Sequence, residues 1–112
     1  MTKPANRSYS RHTHQALALL GALVRAGRIE RHMTTRELSE RAGISRDMLH
    51  RVEKGDPRCG IGVAFELAAI VGVPLFEPEL AGLRSREREV RERLALLPKV
   101  VRKEAKEVKD DF

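Results

Sequence analysis

The chain has 112 residues, 41% of them hydrophobic and 34% charged, with no Trp and only 4% aromatic residues. That length suits one domain with short tails, and a core that must be built from Leu, Val, Ile and Ala favours helices over a β-sandwich. The net charge of +6 points to a polyanionic partner or to a solvated basic surface, while no stretch approaches the ~20 apolar residues that span a bilayer, which argues against a membrane partner.

Residues 1–12 (MTKPANRSYSRH) are polar and without period, and read as a mobile basic arm. From Thr13 the pattern turns helical, with Leu17, Leu20, Ala22, Val24 and Ile29 as an apolar stripe. Arg25, Arg28 and Arg31 fall on another face near the end of this helix, where cations suit the macrodipole. Lys3, Arg7 and Arg11 ahead of the apolar run imitate a secretory signal, but Arg25 follows at once and no small-x-small cleavage site is present. An amphipathic helix is the better reading, and a cytoplasmic, nucleoid-associated location is expected. Thr34-Thr35-Arg36-Glu37 then forms a capping box that opens a second helix, continued by Leu38, Arg41 and Ala42 and stopped by Gly43.

Ser45 caps a third helix running through Met48, Leu49 and Val52 to Lys54, closed by the turn Gly55-Asp56-Pro57. The single cysteine, Cys59, excludes an internal disulfide, fits a reducing compartment and reads as a small apolar filler. A fourth helix, Ile61 to Val71, is apolar nearly all round and is expected to be buried centrally before Gly72 and Pro74 end it. The fifth, from about Pro78 to Leu97, carries Leu80, Leu83, Val90, Leu94 and Leu97 in a heptad-like seam interrupted at Glu87. Glu87–Arg91 and Glu89–Arg93 are favourable spacings on its exposed face. Pro98 begins a mixed-charge tail, 98–112. Residues 1–32 carry a net +5 and residues 33–58 only +1, so charge alone does not locate a recognition segment.

Pattern does locate one. Leu38 and Ala42 face inward from one short helix, Gly43 permits a sharp turn, Ile44 plugs the corner, and Leu49 and Val52 anchor the next helix. Ser39 is small where the two helices approach most closely. This arrangement lets one helix cross a nucleic-acid backbone while its partner enters the groove.

The segment 34–55, TTRELSERAGISRDMLHRVEKG, resembles the helix-turn-helix of the Cro and phage-repressor superfamily, usually called XRE, over about residues 15–75. The resemblance implies an all-α, five-helix lambda-repressor-like domain (13–76), here with an extended C-terminal helix (77–97) and basic arms. It also implies a sequence-specific DNA-binding repressor of an operator duplex. In this family the exposed side chains near the start of the second motif helix meet base edges, which carried over are Arg46, Asp47, His50 and Arg51. Arginine can bind guanine bidentately and Asp47 could accept from cytosine. Asp47 could equally orient Arg46 or Arg51, or favour the helix N-terminus, and His50 could simply be solvated. Thr34, Thr35, Ser45, Lys54 and Arg58 are candidate phosphate contacts, Thr35 standing where the family often has Gln. Selectivity in a genome calls for a homodimer on two half-sites. Leu83, Val90, Leu94 and Leu97 are the candidate dimerisation residues, with packing of that helix on its own domain as the alternative.

Downstream, GDPRCGIGVAFELAAIVGVPLF (55–76) and LALLPKVVRKEAKEVKDDF (94–112) resemble HipB-like antitoxins, partners of HipA-type toxin kinases. This second resemblance implies an autorepressor that also restrains a toxin, with Val108 and Phe112 as apolar anchors of a tail that orders on binding; a solvated tail is the alternative. A phage-type or metabolic regulator without a toxin and a protein-interaction module without DNA binding are the rival readings. No phosphate-cradling glycine loop, triad or paired catalytic carboxylates emerges, so an enzyme and a cofactor are not expected. His12-x-His14 lies in the basic arm without Cys or carboxylate partners at ligand spacing, so no metal is expected either.

Overall fold

The computed structural model describes residues 8–103. Five helices follow in order, α1 (Arg11–Glu30), α2 (Thr35–Ala42), α3 (Arg46–Glu53), α4 (Ile61–Val71) and α5 (Leu80–Leu96), and among the described residues there is no strand. The chain divides into two units, one ending at Pro78 and the other beginning at Glu79. In the first, α1 packs on α3 and α4, and α2 packs on the same two helices. Val24, Leu38, Leu49, Val52, Leu67 and Val71 close together as its core, with Leu20, Ile44, Cys59 and Val63 packed around them. The second unit contains α5, none of whose residues is buried.

Local chemistry explains where the helices begin. The Ser10 hydroxyl accepts from the Thr13 amide at 3.2 Å at the head of α1, one residue pair earlier than the periodicity suggested. At α2 the capping box is complete: the Thr34 hydroxyl accepts from the Glu37 amide at 3.0 Å, and the Glu37 carboxylate accepts from the Thr34 amide at 2.9 Å. Each contact satisfies an amide that a helix start otherwise leaves unpaired. Ser45 does the same for α3 by accepting from the Met48 amide at 3.0 Å. Between them Gly43 sits at φ 73°, ψ 31°, and the Ile44 amide reaches back to the Ser39 carbonyl at 2.9 Å. This left-handed step costs a side-chain-bearing residue ~1–2 kcal/mol and costs glycine nothing, which is why the turn can be so short.

Packing departs from the periodicity at three places. The buried face of α1 runs through Gly21, Val24, Gly27 and Arg28, whereas Ala22 and Ile29, expected in the stripe, are exposed. The reason is the crossing with α3: a β-carbon at Gly21 would overlap the backbone oxygens of Val52 and Glu53, so the small residue marks the contact line. Arg28, expected on a face away from the apolar stripe, is therefore 9% exposed. Second, α4 is not buried all round. Leu67, Ala68 and Val71 face inward, but Ile61 is 77% exposed and Phe65 stacks on Phe76 at 6.1 Å between ring centroids near the surface. A unit this small offers neighbours to only one side of an 11-residue helix. Third, α5 starts at Leu80 rather than near Pro78, with Glu79 extended ahead of it.

Candidate nucleic-acid interface

The two sides of α3 have opposite fates. Leu49 is fully buried and Val52 is 4% exposed, whereas Arg46, Asp47, His50, Arg51 and Lys54 are all exposed. The geometry thus brings the four expected base-contacting side chains onto one solvent-facing surface beside Gly43, with Lys54 at its far end. Of the roles open to Asp47, one is realised in the free protein: its Oδ2 lies 3.1 Å from Arg51 Nη2, one helical turn on. A charge-assisted contact of this kind pre-orients a guanidinium but also competes with any base for it. No ion pair involves Arg46 among the described residues.

The expected phosphate contacts are placed unequally. Thr34 and Ser45 both spend an oxygen lone pair on capping, and each hydroxyl keeps its proton to donate. Thr35, in the first turn of α2, is half-buried, and Lys54 is exposed. Arg58 is engaged elsewhere. Its Nη2 and Nε lie 2.9 and 3.1 Å from the Asp56 carboxylate, and its backbone amide donates to the same group at 2.8 Å. These hydrogen bonds hold the Asp56 carboxyl down at about 2 and raise the Arg58 guanidinium above its ordinary value. The 55–60 turn is thereby fixed by an internal clasp, and Arg58 reaches a phosphate only by sharing its charge with Asp56.

Two residues that set the surface were not identified from pattern. Arg28, from α1, donates from Nε and Nη2 to the Glu53 carboxylate at 2.8 and 3.2 Å, and from Nη1 to the Met33 carbonyl at 3.1 Å. The Arg28 and Glu53 side chains are only 10% and 6% exposed. This bidentate pair ties the last turn of α3 to α1 and to the connection ahead of α2. Its signal was present, since Arg28 follows Gly21 and Val24 at the spacing of one helix face. Arg31 likewise donates from Nε to the Val71 carbonyl at 2.9 Å, capping the end of α4. Cys59 is half-buried against the core, and burial raises its thiol above the ordinary range, which fits a filler rather than a nucleophile.

Residues 19–83, well over half of the chain, match the family described as helix-turn-helix domain, which falls within the XRE/Cro-type group. This chain belongs to that family. No curated protein and no solved structure matches it. As a helix-turn-helix protein it is a DNA-binding regulator, and α2, Gly43 and α3 are its motif. None of its described helices is long and apolar enough to cross a membrane. Leu83, Val90, Leu94 and Leu97 lie at α5, outside the motif, and are 37–54% exposed. The proposed tail anchors Val108 and Phe112 lie outside the described residues.

Proposed function

We propose that this helix-turn-helix protein is a sequence-specific transcriptional repressor that sets α3 into the major groove of a two-fold operator. The observation that carries this reading is the exposed polar face of α3, backed by a fully buried apolar face and anchored through Glu53. Arg46 and Arg51 are the base-reading groups, with Asp47 tuning Arg51 and His50 completing the surface. Thr34, Thr35, Ser45 and Lys54 hold phosphates on either side. Two copies on half-sites ~34–36 Å apart give the selectivity that one short helix lacks.

Footprinting on the chain's own promoter at two salt concentrations tests this. Arg46→Ala is expected to relax preference at one base pair, with a loss equivalent to ~1–3 kcal/mol against the cognate site only. Lys54→Ala should weaken all sequences alike and lower the salt slope by about 1. Equal losses on every sequence from both variants would remove α3 as the reading helix.

The likeness of residues 55–76 and 94–112 to HipB-like antitoxins supports a finer reading, an autorepressor that restrains a HipA-type kinase. Co-expression with a kinase encoded beside it, followed by activity and binding measurements with and without residues 99–112, decides between an antitoxin and a regulator that acts alone.

A further inference from the structure

The fifth helix has an apolar seam whose borders carry one sign of charge. Leu80, Glu87 and Leu94 recur at seven-residue spacing as one row of the seam, and Leu83, Val90 and Leu97 as the other. The positions that border such a seam on both sides are then Arg84, Arg86, Arg91 and Arg93, four arginines and no acid within the helix. Glu87 lies in the seam itself, its Oε2 2.7 Å from Arg91 Nε. Among the described residues Arg84, Arg86 and Arg93 form no ion pair. Leu83 and Val90 are each 37% exposed, Leu94 54% and Leu80 62%. Most helical stability in proteins comes from packing an apolar face, and no residue of α5 is buried, so this face calls for a neighbour.

A second copy of the helix is a poor neighbour in either orientation. Side by side in parallel, Glu87 would meet Glu87 of the second copy, and Arg86 would meet its Arg91. Antiparallel, the apolar rows match well, with Leu83 opposite Leu94 and Leu80 opposite Leu97. However, Arg84 then borders Arg91 of the second copy and Arg86 borders its Arg93. Like charges at these border positions are how helical seams reject a partner. A nucleic-acid duplex supplies the opposite charge but no apolar surface for the leucines. An anionic membrane fits no better, because Glu87 interrupts the apolar face and Glu89 and Glu92 share the outer face with Arg88.

We propose that the α5 seam docks a partner protein whose apolar helix or groove is rimmed by carboxylates, with Leu83, Val90 and Leu94 filling the groove and Arg84, Arg86 and Arg93 pairing with the rim. This goes beyond operator binding and does not depend on it, since it uses no residue of α3.

The test uses the full chain and two synthetic helical peptides. Both carry Leu at the seam positions, one with Glu at every border position and the other with Lys. Each repels itself and so stays free to bind. Fluorescence anisotropy is expected to show at least tenfold tighter binding of the acidic peptide, weakening with salt. Arg84→Glu, Arg86→Glu and Arg93→Glu combined should invert that preference, and Leu83→Lys combined with Leu94→Lys should abolish binding to both peptides. Because no residue of α5 is buried, both variants should keep the circular dichroism and operator affinity of the parent. Equal affinity for the two peptides would overturn the proposal. So would a Leu83→Lys/Leu94→Lys chain whose sedimentation mass falls, which would give the seam to a second copy. Loss by that same variant of binding to phosphatidylserine vesicles or to duplex DNA would give it to a lipid surface or to nucleic acid, and would overturn it equally.

Discussion

Glu53 holds its carboxylate at 6% exposure, and what makes this tolerable is the Arg28 fork at 2.8 and 3.2 Å. Removing one member of a buried pair strands the other charge, which typically costs ~3–5 kcal/mol, whereas replacing both by apolar groups is often near neutral. Arg28→Met is therefore expected to lower unfolding free energy by about 3 kcal/mol or more in urea titrations, and Arg28→Met with Glu53→Leu to recover most of it. A single-variant loss below about 1 kcal/mol would show that the pair does not secure α3. Asp56 acts at the same scale but through pH. Its carboxyl is lowered from 3.8 to about 2 by Arg58, so its contribution is fully present above the unfolded value and is lost as pH falls through the folded one. Stability measured from pH 4 to pH 2 should accordingly fall less steeply for Asp56→Asn than for the parent; parallel curves would mean the clasp contributes nothing. These two ion pairs differ in legibility. Arg58 and Asp56 are sequence neighbours in a turn, whereas Arg28 and Glu53 stand 25 residues apart, and no local pattern links them.

At the scale of elements, four helices end in one geometry. A residue at positive φ follows the last turn, and the next amide bonds back to a carbonyl five residues earlier: Met33 to Arg28, Ile44 to Ser39, Asp56 to Arg51 and Val73 to Ala68. Glycine occupies the left-handed position in three of them, but His32 occupies it at the end of α1, with φ 57°. Because His32 is exposed and bears the strain of that conformation, His32→Gly should be neutral to stabilising by up to ~1 kcal/mol despite the added freedom of the unfolded chain. Gly21 presents the opposite case. Gly21→Ala should destabilise by ~1–3 kcal/mol, because its methyl would strike the backbone of α3 rather than a movable side chain. Calorimetric melts test both statements: Gly21→Ala should lower the midpoint, and His32→Gly should leave it unchanged or raise it. The helix starts at Thr34 and Ser45 were legible because a cap is a contact between residues three apart in sequence. The helix end at His32 was not, because no glycine marks it.

For the whole molecule, the first unit rests on seven buried apolar side chains, and a core of that size rarely supplies more than ~3–5 kcal/mol. Changes at Arg28 or Gly21 should therefore populate unfolded chain at physiological temperature. Operator DNA at a hundred times its dissociation constant should restore ~2.7 kcal/mol of apparent stability by mass action. Thermal melts with cognate and scrambled duplex would measure it, and equal stabilisation by both would count against sequence-specific reading. The net +6 cannot substitute for this geometry, since residues 33–58 carry only +1 of it. What the face of α3 offers is the placement of a few charges on a rigid support.

Taken residue by residue, the chain's own pattern was sufficient for the class of fold, the capping box, the Gly43 turn and the polar face of α3, because each depends on contacts within one or two helical turns. Three-dimensional packing alone decided that Arg28 finds Glu53, 25 residues on, and that α4 shows Ile61 and Phe65 to solvent. Those outcomes depend on how closely α1 crosses α3 and on how few neighbours a small unit can offer. Neither quantity is encoded in any single stretch of sequence.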